Sequence, residues 1–208
     1  ISAKVLELFF GDDSMFPENA NKEEAFNALV ERAYGSKFSE GDDYAPLSAV
    51  DGAYVMELYH GPTCAFKDLA LQLLPYLLTT ALKKTGTGRE AVILVATSGD
   101  TGKAALAGFA DVEGVGICVF YPHGGVSKVQ RAQMVTQEGN NVHVCAVEGN
   151  FDDAQTGVKN IFATGVEGKC LSTANSINIG RLAPQITYYF KAYADLLKRG
   201  QIAMGDEV

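Results

Sequence analysis

A single lysine, Lys67, stands where a predicted strand gives way to a predicted helix, and an amine in that position can become a nucleophile. Residues 54–59 have a strand-like composition, and residues 60–63, His-Gly-Pro-Thr, predict a turn. The helix dipole disfavours an ammonium group in a first turn, and desolvation acts in the same direction. A surface lysine that merely opens a helix accounts for the spacing equally well. The apolar residues at helical spacing after it are Leu69, Ala70, Leu73, Leu74, Leu77, Leu78 and Ala81.

A second segment that could do chemistry is residues 96–102, Ala-Thr-Ser-Gly-Asp-Thr-Gly, between a predicted buried strand and a predicted helix. Its glycines let the backbone approach a ligand, and free N–H groups at a helix start bind anions. A nucleotide P-loop is excluded, because Thr97 stands where its first glycine belongs and Lys103 is followed by alanine. A plain strand-to-helix turn remains the alternative.

A third segment, residues 174–181, places Ser176, Asn178 and Arg181 around a predicted helix start. An oxyanion is stabilised there by the helix dipole and by the fork of a guanidinium group. A Ser/Asn cap next to a surface arginine explains the same spacing.

The elements that must position these residues alternate between strand and helix, which predicts an α/β fold with a mostly parallel sheet in three layers. Ser127 has the character of a helix N-cap, and in the last helix we expect Leu182, Ala183, Ile186, Phe190 and Leu197 to face inward. The predicted strands are 91–95, 115–120 and 142–147, and the predicted helices are 23–34, 102–110, 128–137, 151–162 and 179–197.

The net charge and the length of the apolar runs indicate which kinds of binding partner the protein can have. The 208 residues carry a net charge of -8, which argues against a nucleic-acid or anionic-membrane surface. The apolar runs are far short of a membrane span, and no signal peptide is visible, so we expect a cytoplasmic protein.

The four cysteines are far apart in the sequence, without a Cys-x-x-Cys pair, and predict isolated buried thiols in a reducing compartment. Cysteine and histidine show no zinc-ligand spacing, so we expect no metal site.

The string His-Gly-Pro-Thr-Cys-Ala-Phe-Lys-Asp at 60–68 resembles the lysine segment of fold type II pyridoxal-phosphate enzymes. Among these it is similar to threonine synthases of the bacterial and fungal kind. Residues 122–130 and 148–153 are similar to two further stretches of that family, and the resemblance extends to about residue 197. It implies a fold type II architecture and pyridoxal 5'-phosphate as the cofactor.

The resemblance also implies roles for single residues. Lys67 would hold the cofactor aldehyde as an imine, and Asp100 would lie near the hydroxyl of the cofactor ring. The residues implied to bind the substrate are Thr97, Ser98 and Thr101 for its carboxylate and Ser176, Asn178 and Arg181 for its phosphate.

The reaction implied is the conversion of O-phosphohomoserine and water to threonine and phosphate. Two alternatives stay open. One is another fold type II enzyme, such as a dehydratase or a sulfhydrylase, and the other is a non-catalytic domain that binds a phosphorylated small molecule.

Against the family pattern, the chain looks like a central fragment. We expect a partial larger domain at 1–86, a smaller α/β domain at 87–169, and a segment returning to the larger domain at 170–208. On its own such a chain should be inactive and hold the cofactor weakly. Uncovered apolar faces on helices 66–82 and 179–197 should promote self-association.

Overall fold

The computed structural model describes residues 1–11, 16, 20–38, 43–86 and 88–208. Its helices are α1 (Ser2–Phe10), α2 (Lys22–Ala33), α3 (Asp68–Leu71), α4 (Leu74–Thr85), α5 (Asp100–Phe109), α6 (Lys128–Val135), α7 (Phe151–Thr164) and α8 (Ile179–Lys198). Its strands are β1 (Leu47–Val50), β2 (Ala53–Met56), β3 (Glu90–Ala96), β4 (Val115–Pro122), β5 (Val142–Val147) and β6 (Lys169–Ser172).

The predicted α/β fold with a parallel sheet is confirmed. Strands β3 to β6 form a parallel sheet in the order β5-β4-β3-β6, and β1 and β2 form a separate antiparallel hairpin. Helix α5 crosses from β3 to β4 and α6 from β4 to β5, while α7 leads from β5 to β6. Helices α5 and α7 both pack on the sheet. Buried Ala154 and Val158 of α7 lie outside the core on the α5 side, which gives three layers.

Local signals fix several helix starts. Ser127 caps α6 as predicted, because its hydroxyl accepts from the Gln130 N–H while the Gln130 side chain accepts from the Ser127 N–H. Asn150 and Asp153 form the same reciprocal arrangement at the start of α7. These caps fix where the segments between the strands enter their helices.

The helix that follows Lys67 is divided, whereas the sequence predicts one continuous helix. Helix α3 ends at Leu71 and α4 begins at Leu74. Pro75 has no N–H to donate to the Leu71 carbonyl, so the α-helical ladder is interrupted there. The preceding strand β2 also ends earlier than predicted, at Met56 instead of residue 59.

Two apolar cores meet along α3 and α4. Leu71 and Leu74 belong to the core between the sheet and α5, whereas Leu69, Leu73 and Leu77 belong to a helical core shared with α1, α2 and α8. The prediction that helix 66–82 leaves an apolar face uncovered is therefore wrong. The predicted domain boundaries stay a prediction, and residue 87 lies outside the described residues.

Helix α8 differs from its predicted orientation. Ala183 is buried as expected, but Leu182 is 45% exposed and Phe190 56% exposed, so their inward assignment is wrong. Apolar residues occur on more than one side of this helix, and the spacing alone does not choose between those sides. As predicted, α8 has an uncovered apolar face, which also includes Ile179 and Tyr189.

The cysteines are less buried than predicted. Cys64 and Cys145 are exposed, Cys118 and Cys170 are half-buried, and the Sγ atoms of Cys118 and Cys145 lie 3.9 Å apart on neighbouring strands. Among the described residues no group of three or more His, Cys, Asp or Glu side chains converges on a point that could hold a metal ion. None of the described helices is both long and apolar enough to cross a bilayer.

Candidate active site

The turn before Lys67 is folded around a buried carboxylate, Asp68. The Thr63 N–H and hydroxyl donate to Asp68 at 2.9 and 2.6 Å, and the Ala65 N–H donates at 3.4 Å. A Cβ on Gly61 would lie 2.6 Å from Asp68 Oδ2, so only glycine fits there. Asp68 therefore fixes the backbone that presents Lys67. The sequence motif contains Asp68, but it did not mark this residue as the anchor of the turn.

Lys67 lies at the start of α3 and has an electrostatically mixed environment. Its Nζ is 3.7 Å from Asp100 Oδ2 and 4.3 Å from the centre of the Phe66 ring. Burial lowers the pKa of Lys67 most, the Asp100 charge opposes this, and the Arg181 charge lowers the pKa further. The net shift is downward, in the direction that makes the amine a better nucleophile.

Asp100 opens α5, and its neighbours favour the ionised carboxylate. Gln130 Nε2 donates to Asp100 Oδ1 at 2.9 Å, and Lys103 Nζ lies 3.2 Å from the same oxygen. The Gln130 hydrogen bond is the main cause of a lowered Asp100 pKa, and Lys103 and Lys67 add to it against partial burial. The protonation state that the sequence leaves open is thus the carboxylate.

Gln130 reaches Asp100 from α6, 30 residues further along the chain, and sequence reasoning assigned it no role in the site. Gly99 makes room for it: its φ is 137°, and a Cβ there would lie 2.4 Å from Gln130 Cδ. The sequence feature that contains Gln130 is the Ser127–Gln130 capping box. This feature predicts a helix cap, but it does not predict a contact between Gln130 and Asp100.

The three residues expected to bind a carboxylate have different environments. The Thr97 hydroxyl is buried and accepts from the N–H groups of Gly99 and Gly102 at 3.0 and 2.9 Å, so it folds the loop. Ser98 is exposed at the start of α5, and Thr101 faces the cavity that contains Lys67. Thr97 retains one hydroxyl proton that it can donate.

A cavity of about 400 Å³ brings Lys67 and Thr101 together with Ser176 and Arg181. The Arg181 side chain is buried, and its Nη1 donates to the Ala174 carbonyl at 3.0 Å. Its Nε is buried without a hydrogen-bond partner among the described residues. A buried guanidinium N–H without an acceptor is costly. Because Arg181 also lines the cavity, its positive charge would stabilise an anion there.

Asn178 lies beside this cavity but does not line it. Its Oδ1 accepts from the Gly180 N–H at 2.9 Å, and its Nδ2 donates to the Thr173 carbonyl at 2.8 Å. Both ends of the amide are thus used to cap α8, as the capping alternative for this motif predicts. Its role at the site is to hold the segment that carries Ser176 and Arg181.

Another part of the cavity lining comes from α7, which sequence reasoning did not connect with the site. Gln155 and Lys159 supply its polar groups, and Phe151, Val158 and Phe162 its apolar part. Their spacing on a helix is ordinary, so only the tertiary arrangement shows that they face Lys67.

A family model described as pyridoxal-phosphate dependent enzyme matches residues 43–197, which include every residue of the site described above. The chain belongs to the pyridoxal-phosphate dependent enzyme family. Pyridoxal phosphate is therefore its cofactor, as the sequence predicts. Lys67, whose pKa is lowered mainly by burial, is an amine in this cavity that fits the cofactor aldehyde.

Within the pyridoxal-phosphate dependent enzymes, the chain is similar to threonine synthases. It is 48% identical over 174 residues to the threonine synthase of Pseudomonas aeruginosa, which covers 82% of this chain and 36% of that protein. It is 40% identical to threonine synthase-like 1 of Homo sapiens, over 86% of this chain and 26% of that protein. The chain thus spans about a third or less of these two relatives.

Solved structures agree with this similarity. The pyridoxal-phosphate-bound threonine synthase from Brucella melitensis matches with a TM-score of 0.80 and 40% identity, over 94% of this chain and 40% of that one. The Escherichia coli threonine synthase matches with a TM-score of 0.73 and 35% identity, over 94% of this chain and 42% of that one. The predicted fold type II architecture is confirmed.

Proposed function

We propose that these residues form the catalytic centre of a threonine synthase, which converts O-phosphohomoserine and water to threonine and phosphate. The observation that carries the proposal is the cavity of about 400 Å³ whose lining includes both Lys67 and the buried Arg181. An amine next to an anion site suits a substrate with a phosphate on its side chain. The similarity to threonine synthases over most of the chain supports the same substrate.

Lys67 would hold the cofactor, and its second role in the reaction would be proton transfer. When bound, pyridoxal phosphate supplies an electron sink for negative charge that develops on the substrate. An amine with a lowered pKa can take a proton from a substrate carbon and return it at a neighbouring one. Asp100, held ionised by Gln130 and Lys103, keeps a negative charge beside Lys67 in both stages.

The remaining residues would bind and orient the substrate. Ser98, Thr101 and the free hydroxyl proton of Thr97 would receive the carboxylate at the start of α5, where Thr101 lines the cavity. Arg181 and Ser176 would receive the phosphate, while Asn178 holds the α8 start that carries them. In this proposal one group of residues holds each end of the substrate, so that its carbon atoms lie near Lys67.

The alternatives differ in what they require of this cavity. A dehydratase or sulfhydrylase without a phosphorylated substrate does not require Arg181 and Ser176 to bind a substrate phosphate. A non-catalytic binder of a phosphorylated small molecule needs Arg181 but not a reactive Lys67. The threonine synthase proposal is the one that uses both groups.

The test replaces the matched 174 residues of the Pseudomonas aeruginosa threonine synthase with those of this chain. The folded chimera should form threonine and phosphate from O-phosphohomoserine, and the same chimera with Lys67→Ala should form neither. A chimera that folds and binds the cofactor yet forms no threonine would contradict the proposal. Phosphate binding that is unchanged by Lys67→Ala, without turnover in either protein, would favour the non-catalytic binder.

A further inference from the structure

The cavity at Lys67 has an unusual charge distribution for this protein. Its lining includes Lys67, Lys159 and Arg181 but no aspartate or glutamate among the described residues. The chain as a whole carries a net charge of -8. Asp100, 3.7 Å from the Lys67 Nζ, offsets the charge of Lys67, which leaves Lys159 and Arg181 as lining cations without an ion pair to a described residue. Such a concentration of positive charge stabilises a bound anion, and it is destabilising when the site is empty because like charges repel.

Among the positively charged residues of the cavity lining, Lys159 is the one to which the proposed function assigns no role. It lies on α7, one residue after Val158, which is buried under the helix, and its own side chain is exposed. Its ammonium group forms no ion pair or hydrogen bond with any other described residue, although acidic residues are plentiful in this chain. By contrast, Lys67 and Lys103 at the same site both lie within 4 Å of Asp100.

Arg181 lines the same cavity, and its Nη1 donates to the Ala174 carbonyl at 3.0 Å. Its guanidinium group can donate to two oxygens of a phosphate in a fixed fork, whereas a lysine adds a compact, mobile charge. The two groups therefore complement each other around a dianion: the arginine sets orientation and the lysine neutralises the second charge.

We propose that Lys159 is a phosphate-binding residue that meets Arg181 across the cavity and holds a phosphomonoester dianion from the α7 wall. The assignment to the substrate's phosphate rests on the proposed function. The cofactor also carries a phosphomonoester, so the shared chemistry is the dianion itself. Lys159 reaches it from the segment between β5 and β6, and Arg181 from α8, so the bound anion links two parts of the chain.

The primary test measures the binding of inorganic phosphate to the 208-residue chain by calorimetry and by phosphorus NMR. Lys159→Gln should weaken phosphate binding by roughly ten- to hundredfold, the usual worth of a charge-assisted hydrogen bond. Lys159→Arg should recover most of the affinity. Lys128→Gln, an exposed lysine on α6 outside the cavity lining, is the matched control and should bind as the unsubstituted chain does.

Two further experiments distinguish whether Lys159 binds the phosphate of the substrate or the phosphate of the cofactor. If Lys159 meets the substrate's phosphate, Lys159→Gln weakens O-phosphohomoserine binding but not borohydride trapping of pyridoxal phosphate on Lys67. If it meets the cofactor's phosphate, trapping of pyridoxal phosphate slows while trapping of pyridoxal does not. Either result supports a phosphate-binding Lys159.

Unchanged affinity of Lys159→Gln for inorganic phosphate and for both phosphorylated ligands would overturn the proposal. That result would leave the proposed function intact, provided that Lys67 is still trapped. Conversely, loss of phosphate binding in Lys159→Gln in a chain whose Lys67 cannot be trapped would uphold the anion site and contradict the proposed chemistry. Circular dichroism of each variant verifies that it folds.

Discussion

The reactivity of Lys67 depends on opposing effects on its pKa, and a change at the neighbouring Asp100 can shift the balance between them. Burial and the Arg181 charge favour the neutral amine, while the Asp100 carboxylate favours the ammonium form. Because Asp100 is itself ionised through Gln130 and Lys103, its charge persists at neutral pH. The site thus keeps a lysine that is easier to deprotonate than an ordinary one, with an anion beside it.

Replacing Asp100 with asparagine should lower the Lys67 pKa further. The carboxylate is the group that raises this pKa, so its removal shifts the deprotonation midpoint of Lys67 to lower pH and enlarges the neutral fraction at any pH below it. Competitive acetylation across a pH series, with peptide mapping, measures the midpoint. Asp152→Asn on the exposed first turn of α7 is the control. A midpoint that stays in place or rises in Asp100→Asn would show that Asp100 does not act on Lys67 through its charge.

The Arg181 side chain should matter for more than its hydrogen bond to the backbone. Arg181→Lys loses the bond to the Ala174 carbonyl and the fork that faces the cavity, so inorganic phosphate should bind about ten- to hundredfold more weakly. Arg199→Lys loses a comparable bond, to the Leu47 carbonyl at 2.8 Å, at a distance from the cavity. Equal phosphate affinity in the two variants would restrict Arg181 to a structural role.

At the scale of elements, the break between α3 and α4 packs against a single glycine of α5, Gly108. A Cβ on Gly108 would lie 2.0 Å from the Leu71 carbonyl oxygen, the group that Pro75 leaves without a helical donor. The segment that follows Lys67 and the helix that carries Asp100 thus pack so closely at this contact that a side chain on residue 108 does not fit. This contact helps to set the distance between the two side chains.

Gly108→Ala should therefore destabilise the fold, although alanine is the better helix former. Forcing a methyl group into this contact should lower the free energy of unfolding by about 1–3 kcal/mol or more, as overpacked sites do. Gly157→Ala in α7, where a Cβ meets nothing within 4 Å, should instead raise it by about 0.5–1 kcal/mol. Denaturant unfolding of both variants gives the comparison. A Gly108→Ala protein as stable as Gly157→Ala would show that α3 and α5 can move apart without cost.

How far the sequence predicts these elements depends on whether the signal is local. The strands β3, β4 and β5 and the caps of α6 and α8 follow from apolar runs and capping residues, which are local. A strand at β2 was predicted, but β6, β1 and the pairing of β1 with β2 were not, because short strands of mixed polarity form only through partners elsewhere in the chain.

The same limit applies to the site. Lys67, Thr101, Ser176 and Arg181 lie in recognisable strings, and the structure brings them to one cavity. Lys159 and Gln130 were not predicted as site residues, because only tertiary packing places their helices beside Arg181 and Asp100. Asn178 was expected to bind phosphate, a role that stays untested, and its amide is used for capping.

At the scale of the whole molecule, the exposed apolar face of α8 should make the chain associate with itself. Contiguous apolar surface of this kind favours contacts between copies. Replacing Leu182 and Phe190 together with serine should shift sedimentation profiles towards the monomer at high protein concentration. Val129→Ser, a substitution of another exposed apolar residue on α6, should leave them unchanged. A monomer at every concentration in the unsubstituted chain would contradict this expectation.

The covalent capture of pyridoxal phosphate tests the central claim most directly, because it reports on the Lys67 amine alone. The chain is incubated with pyridoxal phosphate, reduced with borohydride, and its labelled lysines are mapped by mass spectrometry. We expect label on Lys67 at lower cofactor concentration than on any other lysine, and no corresponding saturable label in Lys67→Ala. Label that reaches Lys103 or Lys128 first, or that spreads evenly over the lysines with none on Lys67, would contradict the account.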